Sequence, residues 1–331
     1  MRTSHVGSFP LSYNLRNVER VVSDMSYVGL DAPPYPQLRN FVEIYLAPLV
    51  AQGLLRESSG FYALVEGVDV LSEIARAKVS IPEAEVTVAY VKKQRLGFKW
   101  LRAPVTGPLT LASKILLKAE REEGLKATLL SDKDAVKTAL ASFVREVVRY
   151  VSELGYNIVF LDEPILGVIV GKRKVLFNYS RDDIVEVLDY IGKSARGEFG
   201  IHVCGAIHHG IFEVLTSVPS LKYLSLEFHD SPQNIAVVDK ALLEENDKFI
   251  SPGVVSSKKP VVESASEVYE LLSKLYSASG GRVDLVSGDC GFGGLRGALG
   301  DEEKEYQVSL GKLKSIVAAV KALAEEQLAG T

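Results

Sequence analysis

From Ile158 the run Asn157-Ile158-Val159-Phe160-Leu161-Asp162-Glu163-Pro164 is apolar without interruption until it meets two carboxylates and a proline. A strand with one face in water alternates apolar and polar side chains, so an unbroken run predicts a parallel sheet covered on both faces. The same design recurs in Gly200-Ile201-His202-Val203-Cys204, in Tyr223-Leu224-Ser225-Leu226-Glu227 and in Leu285-Val286-Ser287-Gly288-Asp289-Cys290. Each run is mostly apolar and carries its ionisable or sulfur-bearing residues at the C-terminal end. In a parallel sheet those ends share one edge.

Helical patterns separate the runs. Helices are predicted over 15–28, over 38–52 after the Pro33-Pro34-Tyr35-Pro36 breaker, from 109 onward, and over 133–154, closing at Gly155. Ser180 with Asp183 starts a helix to about 194, Ser264 with Glu267 starts one over 268–276, and further helices are expected near 208–217, 235–245 and 302–328. Strands fall at 2–10 (with a Gly-Ser-Phe-Pro turn), 29–35, 99–108, 157–164, 199–204, 222–228, 248–254 and 283–287, with 61–70 competing for the second place. About eight strands alternating with helices, with no internal break in composition, predict one TIM (β/α)8 barrel spanning 1–331. The stretch 165–177, turning at Gly171, reads as a β-hairpin inserted after the fourth strand, with Lys172, Arg173 and Lys174 at its tip.

Of the 331 residues 47% are hydrophobic and 24% charged, enough apolar content for one large core. Lys+Arg number 38 against Asp+Glu 42, without a basic stripe interleaved with aromatics, so nucleic acid is not an expected partner. No apolar signal segment opens the sequence and no run approaches the about 18 apolar residues of a membrane span. A soluble, cytoplasmic protein is the expectation.

Cys204 and Cys290 are the only cysteines. His202 and Cys204, two apart on a strand, share a face. With Glu227 and Cys290 at other strand ends, the chain offers an imidazole, a carboxylate and two thiols, a four-coordinate zinc set. Buried small hydrophobes and a Cys204–Cys290 disulfide are the bland alternatives. His208 and His209 read as the start of the next helix, His229 and Asp230 as loop residues or as orienters of Glu227, and 291–297 as a glycine-rich loop lacking the helix of a dinucleotide fingerprint.

His-Val-Gly-Ser-Phe-Pro (5–10), Val-Thr-Gly-Pro-Leu-Thr (105–110), Leu-Asp-Glu-Pro (161–164), His-Val-Cys (202–204), Leu-Glu (226–227), Pro-Gly-Val (252–254) and Asp-Cys-Gly (289–291) occur in this order across nearly the whole chain. Together they resemble the catalytic barrel of cobalamin-independent methionine synthases, in particular the short single-barrel archaeal form. The resemblance implies one zinc on His202, Cys204, Glu227 and Cys290, methyl transfer to the sulfur of homocysteine to give methionine, and Ser8 and Asp162 holding the amino-acid end. As the hardest of the four ligands, Glu227 is the candidate to yield its place to an incoming sulfur.

The chain departs from the long enzymes at three points. Lys258 stands where they have a histidine credited with proton transfer, which makes Lys258 the candidate acid. Pro36 and Gln37 replace a glutamate that contacts the substrate amino group. The tryptophan and acidic pattern that follows Thr-Gly-Pro in folate-using relatives is absent from 109–114. The donor expectation therefore stays open between a methylated folate and a methylated corrinoid protein docking on the basic tip. Alkyl transfer to another small thiol of the coenzyme M type, and a non-enzymatic barrel with a structural zinc, are the competing functions.

Overall fold

The computed structural model describes residues 1–66, 69–118, 124–171 and 174–329. Five parallel strands, Arg102–Thr106, Ile158–Asp162, Glu198–Val203, Tyr223–Glu227 and Phe249–Gly253, pair in chain order. Three short extended segments close the ring. Val283 and Ser287 bridge in parallel to Ile250 and Gly253, Val286 to Thr3, Ser4 to Ala32, and Pro34 to Arg102. The result is a closed eight-membered parallel barrel, and the second place belongs to 32–34. Phe61–Leu64, the competitor, forms instead a small outlying sheet with Leu55–Ser58 and Ile115–Leu116.

The alternation of strand side chains sorts the core into two parts. Ile158, Phe160, Tyr223 and Leu285 fill the barrel interior with Ala32, while Val159, Leu161, Ile201, Val203, Leu224 and Leu226 pack outward beneath the helices. Continuing the inward set at every second residue brings Asp162, His202 and Glu227 to the C-terminal rim. Gly200 belongs to this set because a Cβ there would stand 2.5 Å from the Phe160 ring, so glycine is what lets the aromatic plug lie under His202.

Most helices follow the pattern. Leu15–Val28 ends on Gly29 in the left-handed region (φ 85°), Ser180 and Asp183 form a full capping box for Arg181–Gly192, and Ser264 and Glu267 form another for Ala265–Ala278. Others differ in detail. The second helix starts at Glu43, because Asn40 caps the chain there by accepting from the Val42 N–H. The predicted 235–245 helix is a 3-10 segment, Pro232–Val237, followed by Lys240–Glu245, whose N–H groups are capped by Asp239.

After the fourth strand the hairpin is reduced. Leu166–Ile169 is one helical turn, and a single antiparallel bridge joins Val170 to Val175. The first arm coils because Glu163 and Pro164 carbonyls accept the Leu166 and Gly167 N–H groups, leaving no second strand to pair. Of the expected basic tip, Lys172 and Arg173 lie outside the described residues, and Lys174 is exposed. Among the described residues no helix is long and apolar enough to cross a membrane.

Candidate metal centre

At the rim, strand ends from across the barrel face one another. His202 Nε2 lies 3.0 Å from Cys204 Sγ, and Cys204 Sγ lies 3.3 Å from Cys290 Sγ. The donor atoms of all three residues fall within 4.8 Å of one another. Both cysteines are free thiols; a disulfide would need the sulfurs at about 2.05 Å.

The other ring nitrogen of His202, Nδ1, is hydrogen-bonded to Ser225 Oγ at 3.0 Å. This contact fixes the imidazole with Nε2 toward the sulfurs. Ser225 was missed in the sequence, although it lies on the inward face two residues from Glu227 and period-two counting alone would have found it.

Glu227, the fourth expected ligand, lies outside this cluster of three. Its buried carboxylate lines the same cavity of about 580 Å³ as Ser8, Gln37, Cys204, Lys258 and Cys290. Lys258 reaches from a loop to place Nζ 3.9 Å from Glu227 Oε2, and Ser231 Oγ donates to the same oxygen at 3.4 Å. Ser8 is seated by the last strand's loop, its Oγ accepting from the Gly293 N–H at 3.1 Å and its carbonyl from the Phe292 N–H at 2.7 Å. The 291–297 loop is therefore partly ordered as a 3-10 turn, Phe292–Leu295, against Ser8. Asp162 is not among the residues lining the cavity; it is buried, and its Oδ1 has no hydrogen-bond partner.

The charges are strongly coupled. The hydrogen bond with Cys204 holds the Cys290 thiol well below the usual thiol range, against burial and with help from His202, while the same bond and then burial push Cys204 well above it. Burial alone would lower the His202 imidazole, but Cys290 reverses this and raises it. Burial also pushes Asp162 up to about 7, although His202 and Arg102 pull it down.

Arg102, unmarked in the sequence because it begins an apolar strand, is fully buried with its guanidinium 3.8 Å above the Phe160 ring. Burial lowers it to about 10, so it remains a cation at neutral pH.

Of the remaining histidines, His208 bonds the Val170 carbonyl at 2.8 Å and stands just before the helix His209–Thr216. His229 sits 3.1 Å from Asp230 and 3.6 Å from Glu263, contacts that turn it toward the loop network.

Fold and site together define a (β/α)8 barrel whose candidate metal donors stand at the C-terminal edge of its sheet. Residues 70–307 match the family described as cobalamin-independent synthase, catalytic domain, and the chain belongs to that family. It is 24% identical over 229 residues to a methionine synthase of Pyrococcus furiosus, covering 68% of this chain and 58% of that protein. It is 23% identical over 317 residues to a 5-methyltetrahydropteroyltriglutamate-homocysteine methyltransferase of Nitrosomonas europaea, covering 88% of this chain and 40% of that one. The chain thus spans between two fifths and three fifths of the length of these relatives.

Among solved structures, a B12-independent methionine synthase of a Shewanella species in complex with selenomethionine superposes with a TM-score of 0.70 at 17% identity, covering 99% of both chains. A methyltransferase from Methanosarcina mazei gives 0.63 at 13% identity, covering 98% of this chain and 94% of that one. These likenesses carry the barrel fold.

Proposed function

We propose that the whole 1–331 barrel is a zinc-dependent methyltransferase that methylates the sulfur of homocysteine to form methionine. The observation that supports this reading is the convergence of one imidazole nitrogen and two sulfurs within 4.8 Å at the mouth of a barrel of this family. The donor set fits zinc. Zinc takes nitrogen and sulfur ligands in fours, and a ligating histidine normally has its second nitrogen held, as Ser225 holds Nδ1 of His202. His202, Cys204 and Cys290 would hold the ion, with Glu227 as the exchangeable fourth ligand. Zinc there would lower the pKa of the homocysteine thiol and keep its sulfur nucleophilic at neutral pH.

The chain's own groups do the rest. Asp162, in register with His202 and without a hydrogen-bond partner on Oδ1, is the acceptor for the substrate ammonium just below the cavity, and Ser8, which lines the cavity, positions the amino-acid end. In the transfer the thiol proton leaves, the sulfur lone pair forms the new S–CH3 bond, and the donor keeps the electron pair of the broken bond. A folate nitrogen leaving in this way must take up a proton, for which Lys258 is the cation at hand; a corrinoid leaving as cobalt(I) needs none. The names of the long relatives specify a methylated folate, and the chain spans only part of their length.

Methionine formation assayed with a methylated folate, methylcobalamin and a methylated corrinoid protein in parallel, with homocysteine or coenzyme M as acceptor, tests the reading. Turnover with coenzyme M but not homocysteine would overturn the acceptor, and no transfer to either thiol by zinc-loaded protein would overturn the enzyme assignment.

A further inference from the structure

Asp289 precedes Cys290, yet its carboxylate turns away from the sulfurs. It is fully buried, and it collects three consecutive backbone N–H groups: Phe228 donates at 2.9 Å and His229 at 3.0 Å to Oδ1, and Asp230 at 2.6 Å to Oδ2. These three residues directly follow Glu227. One side chain from the eighth barrel position thus holds the segment leaving the sixth.

The reach is possible because the strand between them ends without a side chain. Glu227 is in register with Gly253, and Gly253 bridges to Ser287. A Cβ on Gly253 would stand 2.3 Å from Asp289 Cα, so the chain around Asp289 lies flat on the seventh strand. Its own N–H is fixed by the Val255 carbonyl at 3.0 Å. Three strand ends are therefore tied at one point, with Cys290 on one side of the tie and Glu227 on the other.

Building on the metal reading above, the geometry points to Asp289 as the positioning residue that sets the spacing between Cys290 and Glu227, and so brings the fourth donor within reach of the ion held by the other three. A carboxylate suits this task because both oxygens accept only, matching three donors; an amide would turn its NH2 group against one of them. Replacing a buried acceptor also leaves backbone N–H groups unsatisfied, so the segment after Glu227 shifts.

Cobalt(II) binding to the full chain tests this, with the near-ultraviolet thiolate-to-cobalt absorption and the visible cobalt bands as readouts. Asp289→Asn is expected to bind cobalt about 10- to 100-fold more weakly than wild type, with altered visible bands while the thiolate absorption persists at saturation. Gly253→Ala, which drives a methyl group against Asp289 from the opposite side, should reproduce the change, and carries the test if Asp289→Asn does not fold. Glu163→Gln is the control, since Glu163 is an equally buried carboxylate that accepts from Leu109 and Thr110 N–H groups at the other side of the mouth. Wild-type cobalt affinity and spectrum in folded Asp289→Asn would overturn the proposal. Equal weakening by Glu163→Gln would also overturn it, by showing a general loosening of the barrel. If Cys204→Ser and Cys290→Ser bound cobalt as wild type does, the metal reading itself would fail, a result distinguishable from either of these.

Discussion

The two ends of the barrel handle buried charge in opposite ways. At the N-terminal floor Arg2 donates to Glu198 and Asp284, each at 2.7 Å, and to Tyr223 Oη at 2.6 Å, while its guanidinium lies 4.9 Å from the Trp100 ring and Lys222 meets Glu198 at 2.5 Å. Every charge there has a partner. At the mouth Glu163 and Asp289 are satisfied by backbone N–H groups, but Asp162 Oδ1 and His5 Nδ1 there, and all three guanidinium nitrogens of Arg102 inside the barrel, have no hydrogen-bond partner. Unsatisfied buried groups are destabilising unless something else answers to them. The floor is thus tied by ion pairs across the ring, whereas near the mouth some buried polar atoms have no partner within the described residues.

The largest test of this division is at the thiols. Cys204→Ser and Cys290→Ser should each drop zinc from one per chain to near zero by elemental analysis and abolish methyl transfer. Metal-free wild type should still unfold cooperatively, because a core of this size does not depend on a metal ion. Loss of cooperative unfolding on chelation would instead make the mouth part of the scaffold.

At the floor, Arg2→Ala leaves the partly buried Asp284 without its cation and Glu198 with Lys222 alone, and should cost about 3 kcal/mol in denaturant unfolding. Zinc content and the KM for homocysteine should not change. A fall in zinc affinity in this variant would break the comparison.

Next in size is the pH dependence, where the ends have opposite signs. Burial alone would raise Asp284 and Glu198, but Arg2 at the first, and Lys222 and then Arg2 at the second, outweigh it and lower both. Their stabilisation is present above the ordinary carboxylate pKa of about 4 and is lost as pH falls through the lowered values. Asp162 and Glu163 are pushed by burial up to about 7, so their contribution is full below about 4 and is lost as pH rises through about 7. Asp162→Asn should therefore stabilise the metal-free protein at pH 8 relative to wild type, by about 2 kcal/mol, and much less at pH 5. Equal effects at both pH values would show that Asp162 stays ionised in the fold.

The smallest expected effect is at Ser225. Its replacement by Ala frees the His202 ring and should weaken zinc binding about tenfold in a chelator competition, without lowering the melting temperature of the metal-free protein. Unchanged affinity would mean that the cysteines alone set the imidazole's orientation.

Much of this was legible beforehand because it rests on local rules. Uninterrupted apolar runs announced the parallel barrel, capping pairs placed Arg181–Gly192 and Ala265–Ala278, and period two aimed His202 and Cys204 together. What escaped depends on distance in sequence. Arg102 looked like the polar start of a strand, and only the closed ring turns it inward onto Phe160. Asp289 stands in the sequence only as an ionisable residue at the end of an apolar run, and its three N–H partners lie 59 to 61 residues away. The helical turn Leu166–Ile169 was read as a strand because a short apolar run has no period of its own.

The ring itself is uneven around its circumference. From Arg102 to Gly253 it is a continuous five-strand ladder, whereas 283–287, 3–8 and 32–37 join it and one another through one or two isolated bridges each. His202, Cys204 and Glu227 ride on or directly beyond the ladder; Cys290 rides just beyond the isolated bridges, and Ser8 forms one of them with Gln37. In amide exchange the ladder N–H groups should open only with global unfolding, while those of Ser4, Ala32 and Val286 exchange through smaller local openings. The mouth thus draws Ser8 and Cys290 from the less continuous arc of the ring, and His202, Cys204 and Glu227 from its continuous ladder.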